Sequence, residues 1–64
     1  MGELARRIRG LLKEAGWVRD RHGKGDHEIW RNPKTGEQVV VDDGMKSRHA
    51  ANGILKAAGL PKKF

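Results

Sequence analysis

Apolar residues recur at helical spacing near both ends of this 64-residue chain, and the two apolar stripes need one common surface to cover them. The first stripe predicts a helix over residues 3–15, ended by Gly16. The second predicts a helix that begins after an N-cap at Ser47, runs to about Ala58 and is ended by Gly59. A chain of this length buries only about 60% of the surface that its unfolded form exposes, so we expect one domain over residues 1–64 with a thin core.

Between the two helical patterns lie three short segments with the composition of strands. They cover residues 17–22, 27–32 and 37–41, and the last contains three consecutive valines. Gly23–Asp26 connects the first pair, and the turn Asn32–Gly36 connects the second. These connections predict an antiparallel meander. The expected fold is a two-layer α+β domain of order α-β-β-β-α, with a three-stranded antiparallel sheet and both helices on one of its faces.

Strand alternation divides the second strand between the two faces of that sheet. His27 and Ile29 share one face, and Glu28 and Trp30 share the other. Because Trp30 has the larger area to bury, we expect it to face the helices and to leave His27 accessible. The hairpin is expected to bring His22 and His27 opposite one another. Both tryptophans, Trp17 among them, are interpreted as packing residues and not as platforms for stacked bases.

The net charge of the chain indicates which class of partner it can bind. Fourteen Lys and Arg against eight Asp and Glu give a net charge of +6, distributed along the chain. A polyanion such as RNA or DNA is favoured over an anionic membrane, because no strongly amphipathic basic helix with a bulky apolar face is present. The alternative is a basic domain whose charge serves only solubility. The sequence has no cysteine, no signal peptide and no long apolar run, so we expect a cytoplasmic protein that is not in a membrane.

The glycine-rich segment from Gly23 to Trp30 has the composition of a site. Gly23 and Gly25 allow a ligand to approach the backbone amides, and Lys24 adds positive charge. A histidine side chain can give or take a proton near neutral pH, which makes His27 the candidate proton carrier. The alternative interpretation is an ordinary hairpin loop with one exposed histidine.

Other kinds of site have weaker support. His22, His27 and His49 are conceivable zinc ligands, but no cysteine accompanies them and His49 stands alone on the second predicted helix. The segment Gly23–Gly25 is not a phosphate-binding P-loop, because it has neither the spacing nor the Gly-Lys-Ser/Thr sequence. Asp42 and Asp43 are interpreted as a solvated turn and not as a magnesium site. No metal and no cofactor is therefore expected.

Several short motifs occur in the order found in a known family. Ala15-Gly16-Trp17 ends the first helix, a strand with Arg19 and Arg21 follows, and Gly25-Asp26-His27 opens a strand that turns at Asn32-Pro33. With the closing segment Ile54–Leu60, this order resembles the HicA family of bacterial toxins over nearly the whole chain. The resemblance implies a fold like the double-stranded RNA-binding domain, a metal-independent mRNA interferase, a catalytic His27 and a HicB antitoxin that covers the site. Asp26 stands where the family more often has serine, and Asp42-Asp43-Gly44 stands where many members have a proline and a second histidine.

Cleavage of RNA by transesterification needs a base, an acid and positive charge near the phosphate, and a histidine can fill either proton role. His27 is the candidate for this role, while Lys24 and the loop amides are candidates for the charge. His22 is either a second proton carrier or an exposed strand-end histidine. The alternative function is a non-catalytic RNA-binding module of the same fold. The residues expected to contact RNA are Arg19, Arg21, Lys24, Gly25 and Lys46.

Overall fold

The fold follows the predicted order of elements. A computed structural model describes residues 2–23, 25 and 27–64 of the chain. Both helices pack against one three-stranded sheet, which confirms the two-layer α+β prediction and is consistent with a fold like the double-stranded RNA-binding domain. The elements are α1 (Glu3–Glu14), β1 (Val18–His22), β2 (His27–Arg31), β3 (Gln38–Asp42) and α2 (Arg48–Ala57).

Both helices end in the same backbone motif. The amide of Trp17 donates to the carbonyl of Leu12 (2.9 Å), and the amide of Leu60 donates to the carbonyl of Leu55 (2.8 Å). This six-residue closure is a Schellman motif, and it requires a residue with positive φ directly after the helix. Glycine occupies that position in both cases, with φ of 92° after α1 and 76° after α2. The predicted cap of α2 is also confirmed, because the Ser47 hydroxyl accepts from the amide of Ala50.

The sheet is an antiparallel meander in the order β1-β2-β3. Glu28 pairs with Val41 and Trp30 with Val39, and all four side chains are buried toward the helices. On the opposite face Val40 is 49% exposed, and no element covers it among the described residues. The predicted parity is confirmed, with Trp30 on the helix side. We refer to the two sides of the sheet as the helix face and the open face.

The core lies between the helices and the helix face. Its fully buried side chains come from α1, β3 and α2, so both apolar stripes are covered by the same surface, as the sequence predicts. The large buried side chains without solvent contact are Ile8, Leu12, Val41 and Leu55.

The last residues pack back against α2. Asn52 is buried, its amide nitrogen donates to the Phe64 carbonyl oxygen (2.8 Å), and its oxygen accepts from the Phe64 amide (3.1 Å). The Arg7 guanidinium lies 4.7 Å from the centre of the Phe64 ring, an arrangement that adds a cation–π attraction. The tail therefore contacts both helices.

An irregularity in β1 changes which of its side chains share a face. Arg19 pairs with Trp30 but Arg21 pairs with Ile29, so Asp20 is an extra residue in the ladder. In a regular strand, Arg19 and Arg21 would point the same way. The bulge instead places Arg19 on the helix face and Arg21 on the open face.

Candidate functional site

His27 is the first residue of β2 and lies on the open face. Its side chain is about half exposed, and its Nε2 lies 3.9 Å from Oδ2 of Asp42, the residue opposite it on β3. Its carbonyl oxygen accepts from the amide of Gly23 (2.8 Å), which closes the hairpin. The hairpin thus holds the backbone of His27, while the imidazole ring remains accessible to a ligand.

The loop before His27 has the backbone freedom that the sequence suggests. Gly25 has φ of 65°, in the left-handed region that favours glycine. Gly23 lies close to the histidine, since a Cβ at that position would come within 3.2 Å of the His27 Cβ. Lys24 and Asp26 lie outside the described residues, so the role predicted for Lys24 stays a prediction.

The expectation that His22 and His27 face each other is wrong. His22 pairs with Glu28, because the bond from Gly23 to His27 makes Gly23 the residue opposite His27. Paired residues of neighbouring strands share a face, so His22 lies on the side of Glu28 and away from His27. The charged neighbour of His27 across the sheet is Asp42 and not His22.

Beside His22, the helix face carries a group of charges that the sequence analysis did not identify. Glu28 is 8% exposed, and its Oε1 accepts from Nε of Arg9 (2.9 Å) and from Nε1 of Trp30 (3.1 Å). Arg9 also donates to Oδ1 of Asp43 (2.7 Å). One guanidinium of α1 therefore connects the start of β2 with the residue after β3. We call Arg9, Glu28, Trp30 and Asp43 the Arg9 clamp.

The clamp holds its carboxylates in the ionised form. Burial alone would raise the pKa of Glu28, but the hydrogen bonds from Arg9 and Trp30 and the charges of Arg9 and Arg19 outweigh it, and the net pKa lies below its ordinary value. The hydrogen bond from Arg9 likewise lowers the pKa of Asp43. The pKa of Arg9 is raised, chiefly by its bond to Asp43. Glu28 is thus an anion and accepts hydrogen bonds without donating any.

A cleft opens where the clamp meets the end of the first hairpin. Its volume is about 420 Å³. Polar side chains from α1, β1 and β2 meet there with the loop backbone. The lining residues are Arg9, Arg19, His22, Gly25, Glu28 and Asp43. We call this the polar cleft.

The described residues predicted to contact RNA are therefore distributed over three places. Arg19 and Gly25 line the polar cleft with His22. Arg21 lies on the open face, where it pairs with Asp20. Lys46 lines another depression with Gly2 and Glu3, and Asp43 borders both this depression and the polar cleft.

Three further features bear on what the described residues can bind. Trp17 and Trp30 are each 3% exposed, so the prediction that they are packing residues is confirmed. In the part of the chain that the structure describes, no three His, Cys, Asp or Glu side chains lie close enough together to hold a metal ion. Within the same residues, neither helix has the length and apolar character needed to cross a membrane.

Comparison with known protein families adds a decisive observation. A family model described as the HicA toxin of bacterial toxin-antitoxin systems matches residues 5–60. The chain belongs to the HicA toxin family. The match includes α2, all three strands and all but the first two residues of α1, so the resemblance seen in the sequence motifs is confirmed. A comparison with curated proteins and another with solved structures each gave no significant match.

Membership of the HicA family makes this chain the toxin of a toxin–antitoxin system and implies an antitoxin partner. The sequence analysis did not identify Arg9 and Glu28 as parts of the site region. A signal for Glu28 was present, because it shares its face with Trp30 and a charge on a buried face requires a partner. Nothing in the sequence indicated which of the arginines of α1 would be that partner.

Proposed function

We propose that this HicA chain is an endoribonuclease that cleaves mRNA without a metal ion in the cytoplasm, with His27 as its catalytic residue. The observation that carries the proposal is the position of His27. Its imidazole is about half exposed at the end of a glycine-containing loop, and its backbone carbonyl oxygen accepts a hydrogen bond from the amide of Gly23. The net charge of +6 favours a polyanionic substrate.

The proposed reaction is an internal transesterification. Neutral His27 takes the proton of a ribose 2′-hydroxyl, whose oxygen then attacks the adjacent phosphorus. The bond from phosphorus to the 5′ oxygen breaks, that oxygen receives a proton from solvent water, and His27 returns its own proton to solvent. The products are a 2′,3′-cyclic phosphate and a 5′-hydroxyl. Asp42 lies close enough to attract the imidazolium that forms. Because His22 lies on the other face, we assign it to the polar cleft and not to this proton transfer.

The test compares His27→Ala with the parent chain on a structured RNA, with His49→Ala, an exposed histidine of α2, as the matched control. Loss of the general base is expected to lower the cleavage rate at least about 100-fold. His49→Ala is expected to retain cleavage within a few-fold. Circular dichroism checks that each variant is folded, and EDTA is expected to leave the parent's rate unchanged.

The outcomes separate the two functions that the sequence left open. Cleavage by His27→Ala at the parental rate would remove His27 from the mechanism. Binding of RNA by the parent without any cleavage would favour the non-catalytic RNA-binding module. A rate that depends on added metal would contradict the metal-free reaction.

We further propose that the partner is a HicB-like antitoxin that covers His27. Acidic side chains of the antitoxin would pair with Arg19, Arg21, Lys24 and Lys46, in competition with RNA and with association accelerated by charge. A bound partner also stabilises the folded chain, by about 2.7 kcal/mol when its concentration is one hundred times the Kd. That contribution is large for a domain with so thin a core.

The measurement for the partner is modification of His27 by a histidine reagent in the free chain and in the complex with the antitoxin. Protection of His27, inhibition of cleavage and a raised unfolding midpoint are expected together. A complex in which His27 reacts as fast as in the free chain would show inhibition from a distance. A stable complex that still cleaves RNA would contradict occlusion.

A further inference from the structure

The polar cleft does not have the charge pattern of a phosphate site. Among its described lining residues, the two arginines are balanced by the carboxylates of Glu28 and Asp43. A phosphate entering the cleft would approach both carboxylates, and these stay ionised because their pKa values are lowered. A ligand that both donates and accepts hydrogen bonds matches this lining better than an anion does.

Two groups in the cleft retain hydrogen-bonding capacity. The Arg19 guanidinium is more than half exposed, and its nearest described partner is Oε2 of Glu28 at 3.5 Å. That carboxylate oxygen is distinct from Oε1, which accepts from Arg9 and Trp30. The cleft therefore presents a planar cationic donor beside an anionic acceptor, and the Arg9 clamp fixes the acceptor in position.

The geometry points to a base-recognition site: we propose that the polar cleft binds a guanine of single-stranded RNA next to the phosphate that His27 attacks. Guanine offers O6 and N7 as a pair of acceptors for a guanidinium, and its N–H groups can donate to a carboxylate. Proteins that read RNA sequence commonly take unstacked bases in this way, with histidine or arginine against the ring. The exposed imidazole of His22 provides such a surface at the rim. This inference rests on the proposed function and names the substrate feature that it selects.

The relative position of the two histidines supports the assignment. His22 and His27 flank the same hairpin end, and the backbone reverses between them at the bond from Gly23 to His27. The cleft is thus on the helix face, and His27, the proposed general base, is on the open face at the same end of the sheet. A strand of RNA that crosses this end can place a phosphate at His27 and the neighbouring base in the cleft.

Binding can be measured without cleavage by using His27→Ala and four tetranucleotides that differ only in one central base. Trp30 provides a local probe, because its indole N–H donates to Glu28 at the floor of the cleft. The guanine ligand is expected to bind about tenfold more tightly than the other three and to shift the Trp30 indole resonance. If His27→Ala does not fold, 2′-O-methyl tetranucleotides with the parent chain give the same measurement.

The matched pair of variants is Arg19→Ala and Arg21→Ala, made in the same background. These two arginines lie on one strand but on opposite faces. Arg19→Ala is expected to abolish the preference for guanine, whereas Arg21→Ala should weaken all four ligands equally. Three results would each overturn the proposal. They are equal affinity of His27→Ala for all four ligands, preference for a base other than guanine, and an equal loss of affinity for all four ligands in Arg19→Ala.

Failure of this inference is distinguishable from failure of the proposed function. If the parent chain does not cleave RNA but His27→Ala still binds guanine preferentially, the assignment of the cleft stands and the proposed ribonuclease activity is wrong. Cleavage that depends on His27 but occurs equally before every base would keep the enzyme and remove the base site.

Discussion

The two faces of the sheet end in different chemical environments at the first hairpin. On the helix face, Glu28 is buried and accepts two hydrogen bonds from side chains that are themselves held. On the open face, His27 is about half exposed, and its charged neighbour Asp42 is 3.9 Å away and equally exposed. His27 and Glu28 are adjacent in sequence, and strand alternation alone places them on opposite faces.

The difference shows how a thin domain can divide two requirements of a site. The clamp fixes the start of β2 and the end of β3 from the helix face. Removing its charges from water costs free energy, which its hydrogen bonds offset. His27 needs contact with solvent and ligand in order to exchange protons, and the open face provides it. Substitutions that are chemically matched across the two faces should therefore have unequal effects.

The largest difference is expected between Glu28→Gln and Asp42→Asn, which make the same change on opposite faces. Glu28→Gln keeps an oxygen that can accept from Arg9 and Trp30, but it removes the negative charge between Arg9 and Arg19 and turns an NH₂ group toward Arg19. It should lower the free energy of unfolding by about 2 kcal/mol. The full cost of breaking a buried pair is not expected, because Arg9 is partly exposed and keeps its bond to Asp43. Asp42→Asn retains the oxygen that accepts from Gly44 and should stay within about 0.5 kcal/mol.

Urea unfolding of both variants and the parent at pH 7 measures this difference. Equal losses for the two substitutions would contradict the contrast between the faces. A loss confined to Asp42→Asn would reverse it and would assign the structural role to the open face.

Acid should remove the stabilisation that ionised Glu28 contributes. The pKa of Glu28 is lowered in the folded chain, so its stabilising effect is complete above the unfolded value of about 4.3 and is lost as the pH falls through the lower folded value. The parent should therefore lose stability below about pH 4.3, with Asp43 acting in the same direction. The gap between the parent and Glu28→Gln should narrow in that range. A gap that stays constant down to pH 2 would show that the charge of Glu28 is not what the clamp uses.

The fold was predictable from the sequence because its signals are local. Apolar spacing defines the helices, Gly16 and Gly59 end them, and Pro33 marks the second turn. The parity of β2 followed from the size of Trp30. These features depend on neighbours within a few residues, which a single sequence contains.

The arrangement of the site was less predictable because it depends on register. One hydrogen bond from Gly23 to His27 decides that His22 opposes Glu28, and one extra residue at Asp20 sends Arg19 and Arg21 to different faces. Neither the closing pair of a hairpin loop nor a bulge is fixed by residue types alone. Arg9 reaches Glu28 across 19 positions of sequence, which only the packed structure brings together.

A smaller effect of the same kind is expected from neighbouring valines of β3. Val41 is fully buried on the helix face, whereas Val40 is about half exposed on the open face. Threonine has nearly the shape of valine, so Val41→Thr mainly buries a hydroxyl and should cost about 1 to 2 kcal/mol. Val40→Thr keeps its hydroxyl in water and should be neutral within about 0.5 kcal/mol. Denaturant midpoints of the two variants decide the matter, and equal midpoints would mean that the open face is covered in solution.

The smallest effect is expected on the outer surface of the helix layer, at Gly10 and Gly53. Both lie inside helices, are exposed, and have no atom within 4 Å of the place where a Cβ would stand. Alanine at either position should raise the free energy of unfolding by about 0.5 to 1 kcal/mol, because it restricts the unfolded chain and strains nothing in the folded one. Gly2→Ala is the contrasting control, since its Cβ would collide with the backbone oxygen of Asp43 beside the clamp, and it should destabilise. If these gains add to the loss in Glu28→Gln, as distant sites usually do, the combined variant would allow the clamp's effect on RNA cleavage to be measured in a chain that remains folded. A Gly10→Ala variant that loses stability would instead contradict the open space around this position on the outer face of α1.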